Sequence, residues 1–74
     1  MNEITQLEDK IAENLLHDSR LANYPIDVIN KNGIVTLAGE VSSSELAEAA
    51  ETIARQTDGV IAVINEIVIN REAV

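Results

Sequence analysis

Seventy-four residues with thirteen carboxylates against five basic side chains give a formal charge of −8, and the chain has no cysteine. That charge opposes phosphate backbones and anionic lipid surfaces, and the missing cysteine excludes disulfides and thiolate metal sites. Aliphatic side chains supply nearly all of the 46% apolar content and Tyr24 is the single aromatic residue, so neither stacking platforms for bases nor an aromatic membrane belt is expected.

A chain this short buries only roughly 60% of the surface its unfolded form exposes, so residues 1–74 are expected to form one domain around one aliphatic core. Lys10, Arg20, Lys31, Arg55 and Arg71 are dispersed along the chain, and no basic cluster invites nucleic acid. No apolar run approaches the ~18 residues of a membrane span. Met1-Asn2-Glu3 carries no basic n-region or apolar h-region, so no signal peptide is expected. The chain is then either cytoplasmic or a mature or excised domain.

In chain order, residues 3–18 read as an amphipathic helix. Ile4, Leu7, Ile11, Leu15 and Leu16 recur at helical spacing, with Asn2 placed to cap the start. Asp18-Ser19-Arg20 and Asn23-Tyr24-Pro25 end it, and Pro25 biases Tyr24 towards extended backbone. Ile26 to Asn30 reads as a short strand and Ile34 to Val41 as a longer one. The Asn32-Gly33 pair between them is the strongest short-range hairpin signal, because both residues tolerate positive φ.

Ser42 and Glu45 stand at capping-box spacing and open a second helix that runs to about Gln56. Leu46, Ala49, Ala50 and Ile53 form its apolar stripe, and Gly59 is expected as the left-handed C-cap. Ala62 to Asn70, rich in valine and isoleucine, reads as the last strand. The order predicts an α+β fold: a two-layer α-β-β-α-β sandwich, with a three-stranded mixed sheet and both helices on one face.

The residues in these elements resemble a known family. Asp9, Ile11, Leu15, Leu16, Asp18 and Leu21 are similar to the opening of a BON domain, the module of bacterial osmotic-stress and nodulation-associated proteins. The stretch Gly33-Ile34-Val35-Thr36-Leu37-Ala38-Gly39-Glu40-Val41 resembles its "V-x-L-x-G-x-V" segment, and Gly59-Val60 through Ile69 its closing strand. The resemblance implies a phospholipid- or protein-interacting module of the bacterial periplasm or cell envelope. The family pattern, made of glycines and aliphatics, falls here on Gly33, Gly39 and Gly59 as structural positions.

No catalytic residue, cofactor site or metal site is expected, and the chain reads as a non-enzyme. His17 is a lone imidazole at a helix end, where its charged form suits the dipole. Ser42, Ser43 and Ser44 have no paired base, so capping explains them better than nucleophilic chemistry. Glu45, Glu48 and Glu51 share a helix flank that could attract a cation but reads first as a solvated acidic face.

The sheet carries the informative feature. With Val35, Leu37, Gly39 and Val41 facing the helices beside Val63, Ile67 and Ile69, the period of two sends Ile29, Ile34, Ile64 and Val68 to the uncovered face, interrupted by Glu40 and Glu66. An inward Gly39 is expected to let the second helix approach closely. The four aliphatics are the candidate interaction surface. Sequence therefore leads to a non-enzymatic binding module contacting a protein partner or itself as a weak homo-oligomer. The alternatives are direct phospholipid binding, or a cation-binding or stress-response accessory domain.

Overall fold

Every fourth residue from Leu7 is apolar, and that row turns inward in the structure. The computed structural model describes residues 6–72. The first helix, α1 (Gln6–Leu16), buries Ile11 and Leu15 and half-buries Leu7. The expected start at residue 3, its cap Asn2 and the contact of Ile4 lie outside the described residues. Leu16, expected on the inward stripe, is instead 62% exposed. One residue is about 100° of helix rotation, so Leu15 and Leu16 cannot both face a sheet lined up with Leu7 and Ile11.

The chain then closes a turn on Asp18, whose carbonyl accepts from the amides of Leu21 and Ala22 at 2.9 and 3.0 Å. That turn drives Leu21 into the core. Strand β1 (Ile26–Lys31) pairs antiparallel with β2 (Ile34–Val41) through the expected two-residue turn. Asn32 and Gly33 take φ of 56° and 90° there, as a turn matched to strand twist requires.

Helix α2 (Ser44–Gln56) leads to β3 (Ala62–Ile69), which runs parallel to β2 and completes the order β1-β2-β3. Both helices lie on the face of Val35, Leu37 and Val41. Ala47, Ala50 and Ala54 are the buried residues of α2 among those described, and their small side chains seat the helix close to the sheet. The architecture is the two-layer α+β arrangement expected from sequence.

Three local expectations are corrected. Ser43, not Ser42, caps α2: its hydroxyl accepts from the Leu46 amide, while the Ser42 hydroxyl meets the Tyr24 phenol at 2.9 Å. The C-cap is Thr57 with φ −76°, and Gly59 takes its positive φ two residues later. There the Val60 amide donates to the Thr57 carbonyl, a turn that needs positive φ at its third residue. Gly39 makes room for β1 and not for α2, since a Cβ on it would lie 2.7 Å from the Pro25 carbonyl oxygen.

Candidate interaction surface

Strand alternation and pairing register together set what the helix-free face of the sheet presents. One row across the three strands holds Lys31, Ile34 and Ala62, and the next holds Ile29, Thr36 and Ile64. The third holds Asp27, Ala38 and Glu66, and a fourth holds Glu40 beside Val68. Ile29, Ile34 and Ile64 are 47, 44 and 47% exposed. In the first two rows Ile34 stands diagonal to both Ile29 and Ile64, which flank Thr36, so each strand contributes one isoleucine. Val68 is 56% exposed but stands apart, since the row of Asp27 and Glu66 separates it from Ile64.

The apolar patch is therefore smaller and more polar at one end than a list of four aliphatics suggests. Lys31 marks one end of β1 on this face and Asp27 the other. Neither takes part in an ion pair among the described residues, where the pairs are Asp18 with Arg20 and Glu51 with Arg55.

Both sheet edges carry side-chain guards that sequence reasoning missed. The Glu8 carboxylate, reaching from α1, accepts from the Asn30 amide of β1 at 2.7 Å. On β3, the Asn70 amide donates to the Val41 carbonyl. Counting back in twos leaves the amides of Ile69, Ile67, Asn65 and Val63 on the outer edge. Asn65 blunts that edge: its side-chain oxygen accepts from the Ile67 amide at 3.0 Å. Its amide group donates to the Ala47 carbonyl and to Glu51 Oε1. An asparagine at an inward position was the available signal, because a polar side chain facing a helix must find partners there. Ile69 keeps the inward parity yet is half-exposed, at the lip of a shallow cleft with Ser42, Ser43, Ser44 and Arg71.

A second apolar feature lies beyond the sheet. Exposed Leu16 borders a groove of about 340 Å³ lined also by Ala12, Leu21, Ala22, Pro25 and Ile26. His17 is exposed, beside Asn14 and Asp18. Among the described residues no three His, Asp or Glu side chains converge as a metal ion requires, and no helix is long and apolar enough to cross a membrane. Of the acidic flank of α2, Glu51 is engaged by Arg55 and Asn65. The Arg20 side chain and amide hold the Asp18 carboxyl below the ordinary carboxylate value, and Asp18 raises Arg20 in return.

A sequence profile of the BON domain matches residues 3–71. The chain belongs to the BON domain family. This BON domain is also similar to the "21 kDa hemolysin" of Actinobacillus pleuropneumoniae, with 36% identity over 62 residues. The match takes in 82% of the chain and 32% of that protein, so this BON domain spans about a third of the relative's length. Gly33, Gly39 and Gly59 all take positive φ.

Proposed function

We propose that this BON domain is a non-catalytic interaction module that docks a protein partner through the open face of its sheet. The observation that carries the reading is the contiguous cluster of Ile29, Ile34 and Ile64, one from each strand, on a face without a covering element among the described residues. Exposed apolar clusters rimmed by polar groups are the usual mark of such surfaces. A charge of −8 favours a protein partner over an anionic membrane. The family supports a role at the bacterial envelope.

Phospholipid contact is the second reading, and Leu16 favours it. A leucine 62% exposed beside an apolar groove is a candidate insertion point, and the relative from Actinobacillus carries the name hemolysin. The two readings use different surfaces. A photoreactive side chain in place of Ile64, in place of Leu16, and in place of exposed Glu48 as a control separates them in cells. Protein adducts from position 64 alone support the sheet face. Lipid adducts from position 16, with none from position 64, overturn it. Purified domain titrated with vesicles of phosphatidylcholine and phosphatidylglycerol gives the second readout: amide shifts confined to residues around Leu16 mark lipid contact.

A further inference from the structure

The open face is complementary to itself, and we infer that its occupant is a second copy of this chain, docked face to face about a two-fold axis. The inference rests on the open face being the docking surface, as proposed above, and it names the partner.

Take the axis along the row of Ile29, Thr36 and Ile64, lying between two facing sheets. The rotation keeps each strand over its own copy and reverses its direction. The row of Lys31, Ile34 and Ala62 then faces the row of Asp27, Ala38 and Glu66 from the other chain. Each position meets a fitting neighbour. Lys31 faces Asp27, an opposite charge that has no ion pair within its own chain among the described residues. Large Ile34 faces small Ala38. Long Glu66 faces small Ala62. In the central row Ile29, Thr36 and Ile64 each meet their own copy, so the uncharged part of the face is closed at the middle and the charges lie on the rim.

This is the self-complementary patch that a closed two-fold interface demands, with facing sheets about 10 Å apart and their strands within about 30° of alignment. Two features of the chain make the match informative. Lysine and arginine total five against thirteen carboxylates, so a surface chosen at random offers acid against acid. This face instead places one of the few cations opposite a carboxylate, twice in the pair. The volumes alternate as well, large over small on the central strand β2 and on β3.

Size sets the strength. Three strands about 4.8 Å apart and three rows about 6.8 Å apart give a footprint of roughly 300 Å² per copy. Stable interfaces use about 800 Å² per partner. The pair is therefore weak, and each copy also carries the repulsion of its net charge.

Sedimentation equilibrium and NMR translational diffusion of the purified chain, up to about 1 mM, test this with four proteins: wild type, Lys31→Asp, Asp27→Lys, and the double exchange. All positions are exposed, and the amide spectrum of each variant reports its fold. Wild type should associate, each single reversal should weaken association roughly tenfold by placing like charges together, and the double exchange should restore it. Asp27→Lys is the discriminating variant: it lowers the net negative charge, so general repulsion alone makes it associate more tightly. Tighter association of that variant, failure of the double exchange to recover, or a wild type that stays monomeric overturns the inference. A monomer that still forms adducts to other proteins from position 64 overturns self-docking and leaves the face as the docking surface. Absence of any protein adduct from position 64 overturns the face itself.

Discussion

The carboxylate of Glu8, on α1, accepts a hydrogen bond from the backbone amide of Asn30, on β1, across 22 positions of sequence at 2.7 Å. One side chain thereby joins the first helix to the sheet and closes an outward amide of an edge strand, the kind of group that otherwise recruits another chain. Glu8→Ala should cost about 1.5–3 kcal/mol, the range for a hydrogen bond to a charged group. Urea unfolding measures it. A change below about 0.3 kcal/mol would mean that water serves Asn30 equally well.

Asn65 guards the other edge with both ends of its amide. Asn65→Ala removes the acceptor for Ile67 and the donor to Ala47 and Glu51. We expect a loss of about 2–3 kcal/mol from bonds of about 1 kcal/mol each, and faster hydrogen exchange at the Ile67 amide. Asn65→Asp should be worse than its near-identical shape suggests. It keeps the acceptor but sets a carboxylate against the Glu51 carboxylate and the Ala47 carbonyl. If the aspartate variant matches wild type in stability, the donor half of this arrangement contributes nothing.

These two guards mark where sequence reading stops. The elements were legible because each rests on a local signal: the fourfold apolar spacing of Leu7, Ile11 and Leu15, the Asn32-Gly33 turn, and the alternation of β2. The open face followed from that same alternation, so Ile29, Ile34 and Ile64 share a face on sequence grounds alone. The isolation of Val68 was legible only in part: Glu66 between it and Ile64 follows from alternation, but its place beside Glu40 depends on a parallel register that no turn sets. Contacts between distant segments, such as Glu8 with Asn30 or Gly39 with Pro25, leave no periodic trace. Leu16 misled because two adjacent leucines satisfy a helical pattern equally until packing selects one.

Gly33 and Gly39 both take positive φ, yet replacing them should have unequal consequences. A Cβ on Gly33 would lie 2.7 and 2.9 Å from Ile61 Cδ1 and Cγ1, on a side chain that is 78% exposed and can swing away, and its nearest backbone contact is a looser 3.3 Å to the Gly59 carbonyl oxygen. Gly33→Ala should then carry mainly the backbone penalty of about 1–2 kcal/mol. A Cβ on Gly39 would lie 2.7 Å from the Pro25 carbonyl oxygen and 3.3 Å from the Ile26 Cα, which are backbone atoms fixed by the pairing of Ile26 with Gly39. Gly39→Ala should destabilise by about 3 kcal/mol or more, with the largest amide shifts at Pro25's neighbours Tyr24 and Ile26. Equal losses at the two positions would contradict the distinction between a movable and an immovable neighbour.

Asp18 ties the turn after α1 by accepting from the Arg20 amide at 2.9 Å and from its guanidinium at 2.9 and 3.1 Å. Those bonds favour the charged carboxyl and lower its pKa from the ordinary 3.8. A group whose folded pKa is depressed stabilises the fold above its unfolded pKa, and the contribution fades as pH falls through the folded value. The window therefore lies at and below about pH 4, and between pH 5 and 8 the contribution should be flat. An acid titration followed by the Asp18 carboxyl carbon shift should have its midpoint below 3.8 in the wild type. Arg20→Ala should move that midpoint upward, since it removes the largest cause of the shift while the amide bond stays. A midpoint unmoved by that substitution would assign the depression to the Arg20 amide alone, and the guanidinium would then be a solvated partner with no hold on the turn.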